Sequence, residues 1–151
     1  MPPGGIRVLA AAGLLIVGLT NCSSTERSGV THADALKAWR NQAQPTIDKM
    51  NDAMAWFEGA VRTSDYPGAL DACRSFAGGV DSLERHLPSP DDGVTAVLKE
   101  AVSHFRDFDR ECVTVNAAMT QDQANLVVSY RDKGTELIKT AVQMMDRIEQ
   151  H

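Results

Sequence analysis

From Leu36 to Ile148, apolar side chains return every three or four residues, the period of an α-helix that turns one face to a core. The first stripe runs Leu36, Trp39, Ala43, Ile47, Met50, Met54, Phe57, Val61. Thr31 and Asp34 precede it at capping-box spacing, in which each side chain satisfies an orphan backbone N–H of the first turn. Pro45 lies inside this stripe, where it removes a backbone hydrogen bond and crowds the carbonyl of Asn41. Because the stripe stays in phase on both sides, the expectation is one helix kinked at Pro45. Asp65 to Gly68 reads as a turn, and a second stripe follows: Leu70, Cys73, Phe76, Val80, Leu83, Leu87. Gly78 and Gly79 fall within it and cost about 1 kcal/mol each relative to alanine, which makes this the weakest helix. Leu87-Pro88-Ser89-Pro90 ends it. The third stripe is Val94, Leu98, Ala101, Phe105, Phe108, Cys112, Val115, Met119. Thr120 and Gln123 offer a second capping box before Leu126, Tyr130, Gly134, Leu137, Ala141, Met144, Ile148. No stretch alternates apolar and polar residues as a strand would. The fold class is therefore all-α, an antiparallel four-helix bundle with short connections.

The first thirty residues follow different rules. Arg7 is the only charged side chain before an unbroken apolar stretch from Val8 to Leu19, which closes on Leu19-Thr20-Asn21-Cys22. Its roughly 12 apolar residues fall short of the ~20 that span a bilayer, and they suit a secretion signal. This layout resembles the signal peptide and lipobox of bacterial lipoproteins, with Asn21 larger and more polar than the residue usual before the cysteine. The resemblance covers residues 1–22 alone. It implies removal of residues 1–21, diacylation of Cys22, and a cell-envelope location on the outer face of the cytoplasmic membrane. Two acyl chains hold a protein durably where one does not. Residues 22–30, small, polar and aperiodic from Ser23 on, read as a flexible tether, and residues 31–151 as the bundle domain. Arginine outnumbers lysine ten to five, a bias of GC-rich genomes that points to an actinobacterial source.

From Cys22 onwards the chain carries 14 Lys and Arg against 20 Asp and Glu, a net charge of −6. Such a surface is repelled by nucleic acid and by anionic lipids, so the expected contact with the membrane is the lipid on Cys22. The same compartment favours oxidation of Cys73 and Cys112, which sit on adjoining stripes. Counting antiparallel from Leu87 opposite Val94 sets Cys73 beside Phe108, about one turn from Cys112, within the ±2–4 residues by which helix ends are uncertain.

Catalytic and metal-binding patterns are sparse. Di-iron bundles need Glu-x-x-His on two helices, whereas Glu100 and His104 are four apart and occur once. One histidine and one carboxylate are too few to hold a metal. Covalent haem would need Cys-x-x-Cys-His, which is absent. Met50, Met54, Met144 and Met145 are the residues a haem could borrow, although methionines at helical spacing usually fill a core. The chain has no Gly-x-Ser-x-Gly elbow, and Gly78-Gly79 lacks the Lys-Ser/Thr of a phosphate loop. His32, His86 and His151 fall at helix or chain ends. Asp91-Asp92 suits a helix N-terminus, and Asp107 and Asp109 alternate with Arg106 and Arg110 as on a solvated, ion-paired face. The expectation is a non-enzymatic protein without cofactor or metal.

What remains is surface. Trp56 stands beside core Phe57, flanked by Ala53 and Ala60. It is expected to pack on the neighbouring helix or, failing that, to offer a partner contact of the kind tryptophan often makes. Tyr66, Val127 and Val128 are weaker candidates. The expected function is a tethered helical domain that binds an envelope protein partner. The alternative is a carrier or sensor holding a small apolar ligand or haem in a cavity left by Ala43, Ala101, Gly134 and Ala141.

Overall fold

The structure is a computed structural model that describes residues 30–150. The leader 1–21, Cys22 and the tether up to residue 29 lie outside the described residues, as does His151. Four helices account for most of the described chain: α1 (His32–Arg62), α2 (Tyr66–His86), α3 (Asp92–Cys112) and α4 (Gln121–Glu149).

Their starts follow from local chemistry. The Thr31 hydroxyl accepts from the Asp34 amide at 3.0 Å while the Asp34 carboxylate accepts from the Thr31 amide at 3.3 Å. Thr120 and Gln123 repeat the exchange for α4. Asp65 caps α2 through the Gly68 amide, and Asp91 caps α3 through the Val94 amide at 2.8 Å. Between α1 and α2 the chain turns on Ser64, whose φ of 58° is left-handed. Helix α1 continues through Pro45. Leu36 and Ala43 before the proline, and Ile47, Met50 and Phe57 after it, are all buried.

Side-chain pairs give the helix directions. Trp39 donates its indole N–H to the His86 carbonyl, which runs α2 antiparallel to α1. Cys73 and Cys112 form a disulfide pair with Cα atoms 5.9 Å apart, between α2 and α3. Gly134 lies against the Phe105 ring and Gly93 near the Met144 methyl, so α4 runs antiparallel to α3. Arg40 reaches Asp146, and Arg131 reaches Glu58, which closes α4 onto α1.

The core has two parts. All four phenylalanines meet edge to face in the larger one, with Phe108 against both Phe57 and Phe76, and Phe76 against Phe105, at centroid distances of 5.1–5.6 Å. The smaller part gathers Leu36, Val94, Leu98, Ala141 and Met145 beside the α1 N-terminus. Glycines permit two close approaches. A Cβ on Gly79 would collide with Met50, and one on Gly134 with the Phe105 ring.

The stripes need correction at their ends. Val61 is exposed and Ala60 is buried in its place. On α4, Val127 is 4% exposed where Leu126 was expected, and Leu126 is 43% exposed. Met145 is likewise buried, with Met144 at the margin of the core. Gly134, against the Phe105 ring, and Ala141 are buried as the stripe expects, so only at its ends do Val127 and Met145 replace Leu126 and Met144. Helix α3 stops at Cys112, earlier than its stripe. Asn116 accepts from the Ala118 amide and donates to the Thr114 carbonyl, an Asx turn that carries Val115 inward without a helix.

Candidate functional site

Trp56 is 49% exposed, so its ring does not pack fully into the neighbouring helix. Tyr66, by contrast, is partly buried against the main core at the start of α2, and Val127 is buried outright. Val128 is exposed. Among the described residues the exposed large apolar side chains are Val30, Trp56, Val61, Val113, Leu126 and Val128. All but Val30 lie within about two turns of the α1–α2 turn or the α3–α4 connection, at one end of the bundle. Val30 and the start of α1 lie at the other, about 45 Å away along α1 at 1.5 Å per residue.

The polar candidates are dispersed. Glu100 is exposed, and His104 is partly buried with its Nδ1 buried and without a hydrogen-bond partner. The Asp91 carboxylate accepts from His32 Nε2 at 3.2 Å, and the His86 carbonyl accepts from Trp39. Arg106 pairs with Asp81 and Glu84 across the α2–α3 seam, and Arg110 with Asp107. Hydrogen bonds that the Arg106 guanidinium donates to Glu84 and Asp81 hold it more firmly protonated than usual. Burial raises the Asp109 carboxyl above its ordinary value, against the pull of Arg106. Among the described residues no three His, Cys, Asp or Glu side chains converge as metal ligands, and no helix is long and apolar enough to cross a membrane.

A cleft of about 520 Å³ lies instead between α1 and α4. Ile47, Met50 and Met54 of α1 and Ile138 and Val142 of α4 line its apolar sides. It reaches Phe76 and Phe105 on the opposite helices, both core residues. Around its mouth stand Gln44, Asn51, Thr135 and Gln143, with Arg40 and Lys139. The cavity does not come from the small residues singled out in the sequence. Gly134 is filled by Phe105, and Ala43, Ala101 and Ala141 are fully buried. It comes from a seam in which α1 and α4 are joined mainly at two points. Arg40 bonds Asp146 at 2.6 Å and Glu149 at 3.4 Å near one end, and Arg131 bonds Glu58 at 2.6 Å near the other. The bond to Asp146 chiefly raises the Arg40 pKa, so this clasp stays charged.

Sequence reading missed this site because it followed the strongest apolar stripe. Ile47, Met50 and Met54 were on that stripe, and the missed signal was the polar flank Arg40, Gln44, Asn51 that borders them at helical spacing on α1.

The chain matches no protein-family model, and no curated protein or solved structure is significantly similar to it.

Proposed function

We propose that the protein is a cell-envelope lipoprotein, held to the outer face of the cytoplasmic membrane through Cys22, whose helical domain binds a protein partner and performs no catalysis. The observation that carries this reading is the segregation of exposed apolar side chains. Trp56, Val61, Val113, Leu126 and Val128 gather at the end of the bundle remote from the start of α1, to which the tether would connect. A domain anchored at its N-terminus presents that end away from the membrane. Tryptophan in such a place is the side chain most often found to dominate an interface.

The test places a photo-crosslinking residue at Trp56, at Val113 and, as a control, at Lys37 near the anchored end. The reading expects one discrete partner from the first two positions and none from the third. The same adduct from Lys37 would remove the orientation. An intact chain mass that still includes residues 1–21, or an unmodified Cys22, would remove the anchor.

The α1–α4 cleft favours a second reading, a carrier of a small apolar ligand. Its volume lies within the 300–1,000 Å³ range of ligand sites, and its walls are apolar with a few polar groups at the mouth. Haem is the less suitable occupant, since Met50 and Met54 line the cleft and no histidine does.

A further inference from the structure

Resting on the carrier reading, we infer that the α1–α4 cleft takes a ligand with an apolar body and a single carboxylate head, and that Arg40 and Lys139 hold the head. The charge of the lining points to that class. Among the lining residues the charged ones are Arg40 of α1 and Lys139 of α4, one cation from each helix. The acids that they and Gln44 pair with, Asp146, Glu149, Glu136 and Asp48, stand outside the lining.

Neither cation is used up by its partners. Arg40 makes both of its bonds from Nη1, to Asp146 at 2.6 Å and to Glu149 at 3.4 Å. Its Nη2 and Nε make no hydrogen bond among the described residues. A guanidinium is a planar fork, so Arg40 keeps its acids on one nitrogen and offers the Nη2–Nε edge to a carboxylate, which matches it with two parallel bonds. A neutral head lacks that match. Lys139 meets Glu136 on its own helix, with its side chain 61% exposed. An exposed pair of that kind is worth little, and the flexible ammonium turns to a second anion at small cost.

The polar residues between the cations complete the head site. Gln44 follows Arg40, and Gln143 follows Lys139, by four residues, so each cation has a carboxamide one turn along its own helix face. Counting antiparallel from Arg40 opposite Asp146 sets Gln44 across from Gln143, with Lys139 a turn further. Two cations thus flank two carboxamides at the mouth. Deeper in, Met50, Met54 and the Phe76 and Phe105 rings receive the apolar body, and the thioethers adapt to its outline. The acids around the mouth choose between anions. They leave the surroundings negative, which suits a singly charged head held by direct bonds and opposes a doubly charged phosphate.

The experiment uses the full-length chain in the membrane fraction of its cells, with three photoreactive probes that share one apolar body: para-benzoylbenzoate, para-benzoylbenzamide and para-benzoylphenyl phosphate. Peptide mapping reads the labelling of residues 47–54 and 135–143 at equal probe concentrations well below saturation. The benzoate is expected to label them about tenfold more than the amide, and more than the phosphate. Arg40→Gln is expected to bring the benzoate-to-amide ratio down to about one, and Lys139→Gln to lower it about threefold. Labelling by the amide reports whether either variant has disturbed the fold. Val142→Trp, which fills the cleft, is expected to abolish labelling by all three probes. Gln143→Trp does the same from an exposed rim position, in case the first variant disturbs packing. Equal labelling by benzoate and amide would overturn the head-group inference and keep the carrier reading. Stronger labelling by the phosphate would overturn the choice of a carboxylate. A ratio unchanged in both cation variants would overturn Arg40 and Lys139 as the head site. Labelling unaffected by both tryptophans would overturn the cleft as the site. No labelling of these residues by any probe would overturn the carrier reading itself.

Discussion

Along the α2–α3 seam, Cys73 and Cys112 join the helices near one end, while at the other end Ser89 and Thr95, both buried, exchange hydrogen bonds at 2.9 Å. Along the α1–α4 seam, Leu36 shares the smaller core with Ala141 and Met145, two half-buried arginines make ion pairs, and a cleft of about 520 Å³ opens beside them. The first seam is held by a covalent bond and by polar groups that water cannot reach. The second is held by half-buried ion pairs and by the smaller apolar core. Burial decides what each contact contributes: a buried hydrogen-bond partner is expensive to lose, whereas an exposed ion pair is worth little. One bundle thus combines a covalently joined back with a front joined across a cleft by non-covalent contacts alone.

The largest expected effect tests whether the two sides differ in packing. Phe108 is fully buried and meets two other phenylalanines edge to face. Phe108→Ala is expected to cost about 3–5 kcal/mol, the transfer term plus a cavity among rings that cannot collapse. Val142 already borders a void, so Val142→Ala is expected to cost no more than about 1 kcal/mol. Urea unfolding followed by far-UV circular dichroism measures both. Equal losses would mean that the cleft side is packed as tightly as the back.

Next in size is the bridge itself. Reduction of Cys73–Cys112, separated by 39 residues, is expected to cost about 2–4 kcal/mol through the freedom returned to the unfolded chain. Replacing Arg40 and Arg131 by glutamine is expected to cost under about 1 kcal/mol each. Thermal melts of the oxidised, reduced and double-arginine forms rank the two fastenings. A double-arginine variant as unstable as the reduced protein would invert the comparison.

The helix starts and the pairing of the back seam were legible in the sequence. The capping boxes at Thr31 and Thr120 are written in two residues each, and the Cys73–Cys112 pair follows from two core stripes on adjoining helices. Those features are local, or link neighbours across one short connection. The front was not legible, because α1 and α4 are the most distant helices in sequence. Their separation depends on how far α4 turns about its axis, and Gly134 against Phe105 sets that turn. The α4 stripe holds Gly134 and Ala141 correctly and errs at its ends, where Val127 and Met145 are buried in place of Leu126 and Met144. Trp56 was ambiguous for a related reason. Its neighbours Ala53 and Ala60 are buried, and which side of them the ring takes depends on α2, not on α1.

The smallest effect concerns pH and the end of the α2–α3 seam opposite the disulfide. Asp91 caps α3 and meets His32 of α1, so it ties the start of one helix to the start of another. The hydrogen bond from the Val94 amide lowers its pKa most, burial opposes it, and His32 adds a further lowering. A carboxylate lowered in the folded state adds stability above its unfolded pKa, about 3.9, and that stability drains away as pH falls through the folded value. Asp91→Ala is therefore expected to cost about 1 kcal/mol at neutral pH, the usual worth of an N-cap. The difference from the unsubstituted protein should shrink below about pH 4 and vanish once the folded carboxyl is protonated. Asp91→Asn keeps an acceptor for the Val94 amide but cannot titrate, so it should retain most of the cap while flattening this acid limb. Urea midpoints for the three proteins between neutral pH and acid decide the matter. A constant gap between Asp91→Asn and the parent across that range would show that the cap works as a hydrogen bond alone. The tie to His32 would then add nothing to the closed seam, and the rigidity of the back would rest on Cys73–Cys112 and the Ser89–Thr95 network.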